Sequence, residues 1–164
     1  MIRIKNLECW NIKIPLRFQF AQSNNVTAQS DSLILKMESE NGWTGFGETC
    51  PRLYVTGESM ESVKNDLSVV DSYLRQLQLH TLEDIRHLVS STLPGKIGRS
   101  TICAIELALL DIWSKATEQD LISGLKGKCK LIHYSGIIPM VKIKYLEPVL
   151  EQLKFFGFRK VKLK

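Results

Sequence analysis

The sequence predicts an α+β domain, a three-stranded antiparallel meander with a helical bundle, followed by one strand–helix–strand unit that begins a parallel sheet. Three observations predict it. Apolar and polar residues alternate through 2–14, 32–39 and 43–49. From Met60 to Leu77 the apolar residues recur instead at steps of three and four. The final third returns to strand, helix and strand, and a unit of that order implies parallel pairing.

The first strand covers residues 2–14. Ile2 and Ile4, then Trp10, Ile12 and Ile14, share one parity, whereas Leu7 and Cys9 take the other, so a bulge or a fully covered stretch is expected near Asn6. Pro15 should end it, and residues 17–30 read as a polar loop. Leu33, Leu35 and Met37 give one face of a second strand. Asn41-Gly42 is a hairpin signal with positive φ expected at both positions, and Trp43–Thr49 is the returning strand.

Met60, Val63, Leu67, Val70, Leu74 and Leu77 mark an amphipathic helix capped by Ser59 or Thr56. Thr81-x-x-Asp84 resembles a capping box before Leu82, Ile85, Leu88 and Val89. Ser90–Arg99, with Pro94, Gly95 and Gly98, reads as a loop. Thr101–Trp113 is apolar almost all round and should be the central helix. A short helix is expected at Leu121–Leu125, ending at Gly127. An apolar strand within His133–Val141, helix Leu146–Phe156 and strand Lys160–Lys164 follow, with Pro148 in the helix's first turn and Gly157 as its stop.

With 44% hydrophobic and 24% charged residues in 164, disordered and fibrous classes are excluded. No apolar run is long enough for a membrane helix. The N-terminus alternates charged and apolar residues and does not read as a secretory signal. Cys9, Cys50, Cys103 and Cys129 are scattered and read as reduced thiols of a cytoplasmic protein. From Lys126 onward ten basic residues face only Glu147 and Glu151, a net +8 that leaves −3 for the first 125 residues of a chain of total +5. Such asymmetry signals either a nucleic-acid surface or acidic partners lying in other sequence.

Candidate chemistry is sparse. Gly42, Gly45 and Gly47 are spaced G-x-x-G-x-G in a hairpin, with no helix or Lys-Ser/Thr after them, so they read as turn and packing glycines. His80, His87 and His133 lack ligand spacing, and Glu106 and Asp111 read as structural carboxylates. Lys162 and Lys164 stand out. On a strand they point to one side, and Val161 and Leu163 to the other. Inside a closed barrel, like-charge repulsion and partial desolvation would lower their pKa values and make one a proton acceptor. The alternative is a solvated basic tail.

Four stretches resemble the N-terminal half of the enolase superfamily, in particular its muconate-cycloisomerase subgroup. They are Ile14-Pro15-Leu16 with Phe18; Gly42–Glu48 followed by Pro51 and Val55-Thr56-Gly57-Glu58; Ala104–Asp111; and Gly157-Phe158 leading into Lys162-Leu163-Lys164. The Val-Thr-Gly-Glu segment points to the dipeptide-epimerase members.

The resemblance implies a capping domain over residues 1–127 and, from 128 to 164, the truncated start of a TIM-type (β/α) barrel. It implies a racemase, epimerase or cycloisomerase that removes the proton α to a carboxylate. Mg²⁺, held by three carboxylates on later strands, would stabilise the enediolate. Lys164 would be the base and Lys162 its tuning partner. Capping loops at about Phe18–Asn25 and Pro51–Val55 would close on the substrate, giving Phe18, Ser23, Asn25, Leu53 and Val55 as binding residues. Some glutamate-handling epimerases carry a basic residue near Ser23, so an acidic dipeptide is not supported.

Departures accompany the likeness. A full barrel needs about 250 residues. The three metal ligands and the second lysine are missing, and Glu118-Gln119-Asp120 lacks the Gly and Pro usual at that turn. The expectation is an incomplete barrel, catalytically incompetent as 164 residues and holding no metal of its own. Partners would be a small carboxylate substrate and neither nucleic acid nor membrane, with a homo-oligomer left open. The alternative is a non-catalytic capping module that associates through its unclosed strand edge.

Overall fold

The structure, a computed structural model, describes residues 1–22, 25–121 and 131–164. It divides into two compact units. Met1–Lys13 with Asp31–Lys126 form the first, and Ile14–Ser30 with Gly127–Lys164 the second.

Three strands, β1 (Ile4–Gln22), β2 (Asn25–Ser39) and β3 (Thr44–Thr49), form an antiparallel sheet in the order β1-β2-β3. The expected loop at 17–30 is therefore largely strand. Phe18, Phe20, Val26 and Thr27 are residue types that favour extended backbone. Pro15 does not end β1, because β1 is an edge strand and a missing N–H is tolerated there. The expected change of parity near Asn6 is present: Ile2 and Ile4 are buried, Leu7 and Cys9 pack against the same core, and Trp10 and Ile12 stand exposed.

The β2–β3 turn also differs from expectation. Gly42 N–H donates to Ser39 O at 3.0 Å, Ser39 N–H to Trp43 O at 2.8 Å, and only Gly42 takes positive φ, at 83°. The hairpin thus has a three-residue loop closed by a left-handed glycine, and Asn41 keeps ordinary backbone. In register, Leu35 faces Gly47 and Met37 faces Gly45.

The helices of this unit are α1 (Leu53–Thr56), α2 (Met60–Gln76), α3 (Leu82–His87) and α4 (Arg99–Thr117). Ser59 caps α2 in a reciprocal box with Ser62, and Thr81 caps α3 in one with Asp84. A π-turn at Leu88–Thr92 occupies part of the expected loop. Ser90 and Ser91 hydroxyls donate to His87 O at 3.1 Å each, and the segment ends at Thr92, two residues before Pro94. α4 is one-sided rather than apolar all round: Ala104, Ile105, Ala108, Leu109 and Ile112 are buried, while Leu107 is exposed. These side chains join Leu33, Leu35, Met37, Val63, Val70, Leu74 and Ile85 in one core between sheet and helices.

In the second unit, β4 (Gly136–Ile138) and β5 (Val161–Leu163) pair in parallel, joined through a 3₁₀ turn and α5 (Leu146–Phe155). All of the short helix expected at Leu121–Leu125 except Leu121 lies outside the described residues.

Candidate active site

Lys162 lies within β5 and Lys164 directly after it. Lys164 N–H donates to Ile138 O at 3.1 Å, so the ladder with β4 runs on to this residue. Register pairs Gly136 with Val161, Ile137 with Lys162 and Ile138 with Leu163. The Gly136 side of the sheet is the one α5 covers: a β-carbon on Gly136 would stand 2.4 Å from Leu153 Cδ2. Gly136 and Ile138 are buried there. Side-chain alternation then puts Lys162 and Lys164 on the side away from α5, with Ile137. Lys162 is exposed and Lys164 half-buried.

Leu53 and Val55 sit on α1, not in an extended loop. They are 72% and 67% exposed, and α1 buries no side chain. Gly57 closes α1 in the left-handed conformation, φ 73°, with its N–H donating to Leu53 O. Phe18 and Asn25 are placed by their backbone in β1 and β2. Ser23 lies outside the described residues.

Just past α1 lies a contact that the sequence does not announce. Helix α4 begins at Gly98, which has no side chain to cap it. Two remote carboxylates serve instead. Glu58 accepts from Ser100 N–H at 2.9 Å and from Ser100 Oγ at 2.8 Å. Asp66 accepts from Gly98 N–H and Thr101 Oγ1, both at 2.8 Å. These satisfy N–H groups that a helix start leaves unpaired and place negative charge at its positive end. Burial pushes the Glu58 carboxyl upward, but the Ser100 hydrogen bonds and one from Thr56 outweigh it and hold it below its ordinary 4.5. A glycine at the head of a strongly apolar helix was the available sign that the cap had to come from elsewhere.

The glycine repeat has the packing role expected of it. Gly45 and Gly47 lie directly on the backbone of α4. Asp111, one of the two helix carboxylates, is structural: it accepts from Phe46 N–H at 2.9 Å and pairs with Lys115 Nζ at 2.8 Å. Cys9, Cys50 and Cys103 are free thiols, and Cys129 falls outside the described residues. Burial chiefly, with the Glu106 charge, raises the Cys103 pKa. Among the described residues no three His, Cys, Asp or Glu side chains come together to hold a metal ion. These residues therefore do not fit the family's Mg²⁺. No helix among them is long and apolar enough to cross a membrane.

No family model matches the chain. Curated relatives do. The L-Ala-D/L-Glu epimerase of Bacillus subtilis is 26% identical over 99% of this chain and 44% of its own length. The N-succinyl-L-Arg/Lys racemase of Bacillus cereus is 29% identical over 77% of this chain and 34% of its own. The solved structure of the B. subtilis epimerase with substrate superposes with a TM-score of 0.79, covering 99% of this chain and 45% of that one. A dipeptide epimerase from Enterococcus faecalis, complexed with Mg and L-Leu-L-Tyr, shares the fold at a TM-score of 0.80 and 20% identity. The chain spans less than half the length of the curated relatives it matches. Its homologues and structural neighbours are thus enolase-superfamily dipeptide epimerases and N-succinyl amino acid racemases, matched over their N-terminal portion, capping domain included.

Proposed function

We propose, from relatives and neighbours that are epimerases and racemases of one superfamily, that this chain supplies the capping domain and the lysine-bearing strand of a Mg²⁺-dependent epimerase or racemase acting on a small carboxylate, a dipeptide foremost. The capping domain is residues 1–127 and the barrel segment begins at 128. The observation that carries the reading is the continuation of the β4–β5 ladder through Lys164, which keeps Lys162 and Lys164 in strand alternation on the side α5 does not cover.

Lys164 takes the proton α to the carboxylate. Lys162 adds a like charge two residues away, which favours a neutral neighbour, and attracts the substrate carboxylate. Phe18, Ser23, Asn25, Leu53 and Val55 contact the substrate's other end. Mg²⁺, where bound, would supply neutralising charge at the carboxylate. Among the described residues no ligand set for it comes together, and the polypeptide by itself is proposed to be inactive. The three free thiols support a reducing, cytoplasmic setting. The offset of the excess lysines by carboxylates elsewhere in the whole protein is preferred to nucleic-acid binding.

The test is α-proton exchange in D₂O with Mg²⁺ and a panel of dipeptides and N-succinyl amino acids. The polypeptide should show none alone. It should gain it when the metal-binding remainder of a relative is supplied in trans, and a Lys164→Ala version should not. Exchange by the polypeptide alone, or exchange indifferent to Lys164, would overturn the reading.

A second reading, a non-catalytic module that associates through its strand edge, is favoured by the exposure of Ile137, Val161 and Leu163. Concentration-dependent light scattering tests it; a monomer at high concentration counts against it.

A further inference from the structure

We infer that Glu58 is a positioning residue, which through Ser100 fixes where Leu53, Tyr54 and Val55 stand. The inference rests on the reading of α1 as a substrate-contacting segment and names what holds it. Helix α1 has four residues, too few to persist alone. It buries no side chain in the core, and Leu53, Tyr54 and Val55 are all exposed. Burial in the core therefore does not set its position. Thr56 Oγ1, on its last residue, donates back to Arg52 O at 3.3 Å, which closes the turn on itself. At its end, one residue past the left-handed Gly57, Glu58 reaches across to α4 and grips Ser100 by both N–H and hydroxyl. Ser100 is buried and continuous with Thr101 and Ala104, which belong to the rigid interior. The tie thus joins the least buried element of the first unit to one of its most buried. Glycine at 98 completes it, since a β-carbon there would stand 2.2 Å from Glu58 Oε1. Asp66 supports α4 from within α2, and its loss would disturb the helix without releasing α1. That makes it the control.

The experiment is amide hydrogen exchange on the full chain, comparing Glu58→Gln, Ser100→Ala and Asp66→Asn with the unsubstituted protein. Glu58→Gln should speed exchange of residues 52–57 about tenfold, leaving Leu33–Met37 and Ile105–Ile112 unchanged, with a smaller effect for Ser100→Ala. Asp66→Asn should spare residues 52–57. Unchanged exchange at 52–57, or a uniform rise across the domain, would overturn the inference. In the complemented assay, Glu58→Gln should raise KM about fivefold with kcat nearly kept, as loss of positioning at a binding surface does. A fall in kcat at constant KM would overturn it. Absence of α-proton exchange with the unsubstituted chain would sink the functional reading instead, and amide exchange alone would then decide the role of Glu58.

Discussion

Gly47 lies so close to Ala104 that a β-carbon on the glycine would stand 1.9 Å from the helix carbonyl oxygen. Gly45 repeats the relationship one turn on, 2.2 Å from Ala108 O. Two glycines on alternate residues of β3 thus meet two alanines four apart on α4, and strand and helix touch backbone to backbone. This contact seats the whole of α4.

Glycine-to-alanine changes at these two positions should be severe. A backbone carbonyl cannot yield as a side chain can, so Gly47→Ala should cost about 3 kcal/mol or more, or prevent folding. Gly42→Ala, where the space is open and only the positive φ objects, should cost about 1 kcal/mol. Urea unfolding of the three variants checks the order, and equal losses would refute the packing account.

Acid should weaken the fold through two carboxylates. Asp84 is held below its ordinary 3.8 first by His80 N–H and then by Thr81 N–H, each bonded at 2.8 Å. Glu58 is held below 4.5. Both folded values are depressed, so their contribution is complete above the unfolded values. It fades as pH falls below about 4.5 and is gone beneath the folded ones. Unfolding curves from neutral to strongly acid pH should slope downward there, and Asp84→Asn and Glu58→Gln should each flatten the slope.

Glu118 ends α4 in the left-handed conformation, φ 54°, the one non-glycine at positive φ among the described residues. Glu118→Gly should therefore stabilise the protein by about 0.5–1 kcal/mol, the reverse of what glycine usually does. Thermal melting checks it; a lowered Tm would show that the Glu118 side chain contributes more than its backbone costs.

In the complemented exchange assay, Lys164→Ala should lose about a thousandfold, the scale of a missing general base. Lys162→Ala should lose less and shift the pH profile upward, because one like charge near Lys164 is removed. Equal losses with no shift would mean that both lysines only bind the carboxylate.

Much of this was legible in the sequence, and the reasons differ by element. The meander, the α2 stripe, the Thr81 box and the strand–helix–strand ending follow from periodicity and capping, which are local. The extent of β1 and β2 was not legible, because Pro15 and the polar residues after it read as breakers until β1 is known to be an edge. The loop length at Asn41-Gly42 is not legible, because two- and three-residue hairpins share a glycine and are separated by hydrogen bonding and φ, here Gly42 N–H to Ser39 O and Ser39 N–H to Trp43 O. The lysine pair was legible from alternation alone. Its setting was not, since the side α5 covers is a tertiary fact. The grip of Glu58 on Ser100 spans 42 positions, and no local pattern reports such a distance.

Arg75 carries a last consequence. Its guanidinium holds Asp71 through Nε and donates to Lys5 O and to the Asn6 side chain, where β1 changes parity. That clamp sits where the inward set of β1 passes from even to odd positions. Were the strand to alternate strictly through Asn6 with every residue kept, Trp10 and Ile12 would turn inward and Leu7 and Cys9 outward. Deleting Asn6 would instead bring Ile2, Ile4, Leu7 and Cys9 onto one parity, so the shorter strand would keep its inward set and leave the guanidinium no break to hold.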